Sequence, residues 1–286
     1  MKNILVTGAN GQLGSELQRL GAISPSNWFF TDIDQLDITN RSAVEQFIAE
    51  NKIEIIVNCA AYTNVDKAES DEATAQLINC TAVDNLCHAA KQNNSTLIHI
   101  STDYVFGTQG NTPRTEDMPV DPLGAYGRTK LAGEQAIAES QCKAIIIRTA
   151  WLYREYGNNF VKTMLRLGND RDELNVVADQ IGSPTYTFDL AVLLCDMAVS
   201  DKYGIYHATN EGICSWAEFA REIMALGCRK ARVNDITSDQ YPAKAKRPLN
   251  SRMSKDKLEA NGFARLPHWR DALKRYVDEL KQNNLI

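Results

Sequence analysis

Several absences bound what this chain can be. No stretch approaches the ~18 consecutive apolar residues of a membrane span, so no transmembrane segment is expected. Its 31 lysines and arginines are outnumbered by 36 aspartates and glutamates. A nucleic-acid binder needs a basic face, and none is expected here. The seven cysteines are odd in number, widely spaced and without a C-x-x-C, which argues against a disulfide framework or a thiolate zinc site. They read as small buried hydrophobes. His88, His99, His207 and His268 are scattered without metal-ligand spacing, and no structural metal is expected. The opening MKNILVTGANG has too short an apolar run for a signal peptide, so a cytoplasmic protein is expected.

What is present is a rhythm. KNILVTG, NWFFTDID, EIIVNCAAY, STLIHISTDYVF and KAIIIRTAW are apolar, β-branched runs that end in polar residues. Helical patterns separate them: GQLGSELQRLGA, RSAVEQFIAEN with Thr39 or Asn40 as cap, a long stretch over 72–93, and the segment carrying YGRTK. This alternation predicts an α/β fold, a doubly wound parallel sheet of Rossmann type covered on both faces. After residue 150 the pattern loosens into the helix NNFVKTMLRLG, the short strand ELNVV, the helix FDLAVLLCDMAVSD, the strand GIYHATN, and then helices mixed with proline-containing loops. The expected plan is a dinucleotide-binding domain of residues 1–150 with about 182–211, and a smaller mixed α/β lobe of about 151–181 with 212–286. The polar strand ends gather on one edge of the sheet, where ligands of such folds bind.

TGANGQLG places Gly8, Gly11 and Gly14 three apart between a strand and a helix. Gly8 suits the tight turn, Gly11 a close approach to a pyrophosphate, and Gly14 close helix packing. The start of the helix offers N–H groups and positive dipole to phosphate. The second strand ends in Asp32, where an acid hydrogen-bonds an adenosine ribose. These features predict a nicotinamide dinucleotide, the acid favouring NADH and repelling the 2′-phosphate of NADPH, and Asp37 either lies near the adenine or is a loop acid or helix cap. Tyr126 and Lys130, four apart on a helix, share a face. A nearby ammonium would favour the Tyr126 phenolate. Thr102, ending the fourth strand, would hydrogen-bond the oxygen that Tyr126 protonates.

TGANGQLG, NCAAYTNVDKAE, STDYVFG, AYGRTKLAGE and RTAWLY resemble the extended short-chain dehydrogenase/reductases, and within them the dTDP-4-dehydrorhamnose reductase family. The likeness continues through GNNFVKTMLRL, DQIGSPT, YHATN and RPLNSRM. It implies reduction of a nucleotide-sugar 4-keto group by NADPH or NADH, with Tyr126 as proton donor, Lys130 as its partner, Thr102 orienting the carbonyl and Asp103 touching the sugar. It also implies that Gly11, Gln12 and Leu13 hold the pyrophosphate, that Asp32, Asp37 and Ile38 lie near the adenosine, and that Ala61, Tyr62 and Thr63 line the cofactor path. Trp151 would line the sugar pocket, or else plug the gap between lobes. Arg247 and Asn250 suit a diphosphate, since a guanidinium matches phosphate, or belong to a solvated basic loop. Asn159 either reaches the substrate or caps the following helix.

Some members of that family form a magnesium-bridged dimer through surface glutamates. Glu16 matches one position, but the second falls near Asp189 with an awkward offset. The expected partners are a small nucleotide sugar and, at most, a second copy of the chain: a monomer or a homodimer. The rival readings are another nucleotide-sugar 4-epimerase or reductase, and a non-catalytic NAD(P)-binding regulatory subunit. The intact Thr102, Tyr126 and Lys130 favour an enzyme.

Overall fold

The computed structural model describes residues 1–108 and 110–286. Among these, six strands form a parallel sheet: β1 (Asn3–Thr7), β2 (Asn27–Thr31), β3 (Ile55–Asn58), β4 (Thr96–Thr102), β5 (Lys143–Thr149) and β6 (Gly204–His207). Their spatial order is β6-β5-β4-β3-β1-β2. The chain therefore leaves β1 toward one side for β2 and returns to the other side for β3. The crevice where β1 and β3 part is the topological switch point, the usual ligand position of such sheets.

Alternation along the strands supplies two faces. Ile4 and Val6 of β1 point to a core with Val57, Ile98 and two helices, α1 (Gln12–Gly21) and α6 (Thr187–Ala198), which contribute Leu13, Leu17, Leu190 and Leu194. Leu5 points the other way, with Ile56 and Leu97, to α2 (Arg41–Glu50), α3 (Ala82–Asn93) and α4 (Ala125–Ser140) through Val44, Ile48, Leu86 and Ile137. The sheet is Rossmann-like and doubly wound, as the alternation of strands and helices predicted. Asn40 provides the α2 cap, accepting from the Ala43 N–H at 3.1 Å.

The stretch over 72–93 is not one regular helix. It runs as Glu72–Gln76, a π-turn at Leu77–Thr81, and then α3. Periodicity does not reveal such a turn, because the apolar positions on either side of it still read as helical.

Beyond β5, α5 (Phe160–Asp170), α7 (Trp216–Leu226) and α8 (Trp269–Gln282) enclose a second core of Val161, Leu165, Phe219, Ile223, Leu273 and Tyr276. Glu173–Val177 pairs in parallel with Arg232–Ile236. The first of these strands was legible in the sequence; the second, RVNDI, is short and half-exposed, with no clean alternation to mark it. The segment GIYHATN supplies β6, which joins the main sheet beside β5. Among the described residues no helix is long and apolar enough to cross a membrane.

Candidate active site

The glycine turn after β1 is shaped by contacts that a side chain would break. Gly8 sits at φ +65°, and a Cβ there would lie 2.6 Å from the Ala60 backbone nitrogen. A Cβ on Gly14 would lie 2.3 Å from the Gly8 carbonyl oxygen. The turn is thus pressed both against the segment following β3 and against its own helix. At Gly11, α1 begins with no side chain capping its first N–H groups, which leaves donors and positive dipole for an anion. Leu13 turns its side chain into the core, so it offers only its backbone here.

A cleft of about 460 Å³ opens at this point, lined by Gly8, Gly11, Asp32, Asp37, Ile38 and Ala61. The Asp32 carboxylate accepts from the N–H groups of Asn10 at 3.0 Å and Ile33 at 2.9 Å. It therefore ties the glycine turn to the end of β2. Asp37 accepts from the Thr39 N–H and hydroxyl at 2.9 and 2.7 Å, as a loop acid does. The following segment is held by Asn79 of the π-turn. Its side chain accepts from the Tyr62 N–H at 2.9 Å, and donates to the Tyr62 carbonyl at 3.2 Å and to the Thr129 hydroxyl at 3.1 Å. Thr63 is exposed.

Thr102 ends β4 and Tyr126 lies in the first turn of α4, which brings them together at the sheet edge. The Thr102 hydroxyl donates to Asp103 at 3.0 Å and accepts from the Tyr104 N–H at 3.2 Å. Burial raises the pKa of the Tyr126 phenol and so disfavours its ionisation; its contact with Thr102 acts the other way, while Asp103 and Tyr104 add to the rise. Tyr104 packs edge-on against the Tyr126 ring, with centroids 5.3 Å apart. Burial also lifts Asp103 to about 6, against hydrogen bonds from Ser251 and Thr102.

The i, i+4 spacing does set Lys130 beneath Tyr126, but the expected direct pull on the phenol is not what the side chain does. The Lys130 ammonium group is buried, and burial brings it down to about 8 although Glu134 and Cys59 oppose the shift. Its Nζ donates to the Ile100 carbonyl at 2.7 Å and lies 3.1 Å from His99 Nε2. The phenol is under the influence of Asp103 and Tyr104 instead. A desolvated amine takes the nearest strong acceptor, here a strand carbonyl two residues before Thr102.

On the far side of the crevice, Trp151 adopts φ +52°, an uncommon conformation for a bulky residue and one that concentrates at functional sites. Its ring stacks on Trp216 with centroids 3.7 Å apart and planes 17° apart. Gly182 makes room, since a Cβ there would come within 3.0 Å of the Trp151 ring. A second cleft, of about 580 Å³, is lined by Phe160, Gln180, Trp216, Tyr241 and Arg247 among others. Arg247 pairs with Asp66 at 2.9 Å. Asn159 caps α5, accepting from the Lys162 N–H at 3.0 Å, and also reaches Gln12 at 3.4 Å. Asn250 is buried and donates to the Thr112 carbonyl at 2.8 Å. Glu16 is buried as well, with Arg154 at 2.9 Å and Arg19 at 3.3 Å, so it is not a surface glutamate.

Residues 1–282 match the model of the family described as the RmlD substrate binding domain. The chain belongs to this family. This RmlD-family chain is 41% identical to the dTDP-4-dehydrorhamnose reductase of Aggregatibacter actinomycetemcomitans, over 96% of its own length and 98% of the relative's. A dTDP-4-dehydrorhamnose reductase structure from Clostridium acetobutylicum superposes with a TM-score of 0.95 at 44% identity, covering 98% of this chain and 99% of that one. One from Bacillus anthracis, solved in complex with NADP, also gives 0.95, at 43% identity and with 98% and 100% covered. The resemblance read from the sequence motifs thus extends along the whole RmlD-family chain.

Three residues of the site were not singled out in the sequence. Trp216 opens a helix behind the capping box Ser215–Glu218, a signal that marks a helix start and nothing about a ligand. Asn79 is one asparagine within a helical run. His99 lies mid-strand among apolar residues and is noted in the sequence only for lacking metal-ligand spacing. Each gains its place only from partners more than 15 residues away in the chain.

Proposed function

We propose that this chain reduces the C4 keto group of dTDP-4-dehydro-L-rhamnose to dTDP-L-rhamnose, using NADPH or NADH. The observation that carries the reading is the meeting of Thr102 with the Tyr126 phenol at the strand ends, beside a glycine turn built to receive a dinucleotide. The similarity to named reductases along the whole chain supports the choice of sugar.

The residues present fit such a cofactor. The uncapped start of α1 at Gly11, with Gln12 and Leu13, suits the pyrophosphate, and Asp32 and Ile38 line the cleft suited to the adenosine. When bound, the nicotinamide supplies the hydride. Thr102 turns its hydroxyl from Asp103 to the sugar's keto oxygen and holds it by a hydrogen bond, and Tyr126 gives that oxygen its proton as the carbon is reduced. The high proton affinity that burial gives Tyr126 keeps the phenol protonated at neutral pH, the form a donor needs. Asp103 and Trp151 contact the sugar, and Arg247 leaves Asp66 to meet the diphosphate in this reading. The division into residues 1–150 with about 182–211 and a substrate lobe of about 151–181 with 212–286 belongs to the same proposal.

The test is the loss of 340 nm absorbance with purified protein, either cofactor, and the 4-keto sugar nucleotide. One cofactor oxidised per sugar is expected. No oxidation with cofactor still bound would point to a different 4-keto sugar or to the regulatory reading. Asp32→Ala is expected to weaken NADH about tenfold, the scale of a hydrogen bond to a charged group, and NADPH much less. Equal losses in a binding titration would mean that Asp32 acts only by holding the Asn10 N–H.

A further inference from the structure

Thr7, Asn58 and His99 stand in register on three neighbouring strands: Thr7 is paired with Asn58, and Asn58 with His99. Their side chains therefore form a row across the sheet, directly under the crevice. The Thr7 hydroxyl meets Asn58 Oδ1 at 2.7 Å, Asn58 Nδ2 meets His99 Nδ1 at 3.0 Å, and His99 Nε2 meets Lys130 Nζ at 3.1 Å. All four residues are at most 1% exposed, so water cannot stand in for a missing partner.

The direction of each bond follows from one end of the row. The Ala60 backbone N–H points at one Asn58 side-chain atom at 3.2 Å, and an N–H can only donate. That atom is therefore the carbonyl oxygen, which also accepts from Thr7. The other amide atom is the nitrogen, and it too can only donate. His99 Nδ1 must then accept, so the neutral ring carries its proton on Nε2. Turning the ring over would place carbon at both contacts. A doubly protonated ring is disfavoured by burial and by Lys130. The Nε2–H thus points at Lys130 Nζ. An ammonium has three donors and no acceptor; a neutral amine has a lone pair. Only the amine can accept from His99 while donating to the Ile100 carbonyl.

We propose that His99, its tautomer fixed by Asn58, is a positioning residue that holds the Lys130 Nζ on the Ile100 carbonyl and favours its neutral amine form. This rests on the reductase reading above. The other ionisable groups facing Lys130 are Glu134, one turn along α4, and Cys59, just after β3; both favour the ammonium. Burial opposes them, and the row from β1, β3 and β4 adds the His99 Nε2–H that faces Nζ at 3.1 Å; Glu134 is itself engaged by the Arg148 guanidinium at 2.7 Å.

The test reads the tautomer directly. Long-range proton–nitrogen spectra are recorded on the full chain labelled with [15N]histidine, with and without NADPH, and His99 is assigned by its loss in His99→Gln. A bare Nδ1 and a protonated Nε2 are expected in both samples. The Lys130 titration is followed by 13Cε shifts, assigned with Lys130→Arg, and its midpoint is expected near 8 in the free chain. Asn58→Asp keeps the shape and the acceptor for Ala60 but takes the proton of Nδ1, which turns Nε2 into an acceptor. The Lys130 midpoint should then rise by about one unit or more, a tenfold change in proton affinity, and the alkaline limb of kcat should move with it. Protonated Nδ1 in the unaltered chain overturns the proposal, and so does a tautomer switch that leaves the Lys130 midpoint in place. The spectra need no sugar. A chain with the expected tautomer that reduces nothing would refute the reductase reading, whereas normal reduction with Nδ1 protonated would refute this proposal alone.

Discussion

Tyr126→Phe is expected to lower the rate of sugar reduction by about 10²–10⁴-fold, the range for loss of a positioned general acid, while NADPH binds nearly as before. The substitution removes one oxygen and keeps the ring, so the edge-on contact with Tyr104 at 5.3 Å survives. Neither the glycine turn nor the Asp32 cleft involves the phenol. Thr102 still has Asp103 and the Tyr104 N–H as partners, so no buried hydroxyl is stranded. The loss should therefore appear in kcat, with little change in the Kd for NADPH read by fluorescence. Turnover within a few-fold of normal would remove Tyr126 from the chemistry and leave Thr102 or a water as donor.

The largest stability effect is expected at Glu134→Ala. Glu134 and Arg148 are buried to within 4% exposure, and the guanidinium meets the carboxylate through Nε at 3.0 Å and Nη2 at 2.7 Å. Ser101 also donates to the carboxylate. Removing the acid strands a guanidinium in a dry site, which costs about 3–5 kcal/mol in comparable pairs. Among the described residues Arg148 then keeps the Glu116 carbonyl at 3.3 Å and the face of Phe106 at 5.1 Å. Urea unfolding followed by circular dichroism checks this; a loss below about 1 kcal/mol would mean that water or the loop near Glu116 takes over the charge. Replacing both partners by apolar residues of similar size should recover much of the loss, since the pair is costly to break but not to omit. Because the pair clamps α4 to β5, the single variant should also loosen the placement of Tyr126.

The parts of the site that the sequence made legible share one property: their chemistry is local. The glycine turn is a run of eight residues, and Tyr126 and Lys130 lie within one helical turn. The strands of the sheet could be read because β-branched runs such as AIII leave few alternatives, and all six were anticipated. What stayed hidden depends on registry between distant segments. The direction of Lys130 is decided by the Ile100 carbonyl and by His99, and the strand Arg232–Ile236 is recruited by Glu173–Val177 rather than by its own pattern. Trp151 was noticed, but its partner Trp216 lies 65 residues away and is joined to it only by the packing of the second core.

The π-turn at Leu77–Thr81 has a consequence for how this chain tolerates changes in length. A π-turn holds one residue more than an α-helix would over the same span. Deleting a single residue there would restore a regular helix over the same span and leave the turns on either side in phase, whereas winding all five residues into a regular helix would rotate everything before them against everything after them by about 100°. Val83, Leu86 and Ala90 face the sheet on one side of the join, and Asn79 reaches Tyr62 from within it. The bulge lets the flanking turns keep their faces while Asn79 reaches Tyr62. The helix therefore carries its irregularity as a count of residues rather than as a particular side chain. A substitution scan would pass over it, and a deletion scan would find it.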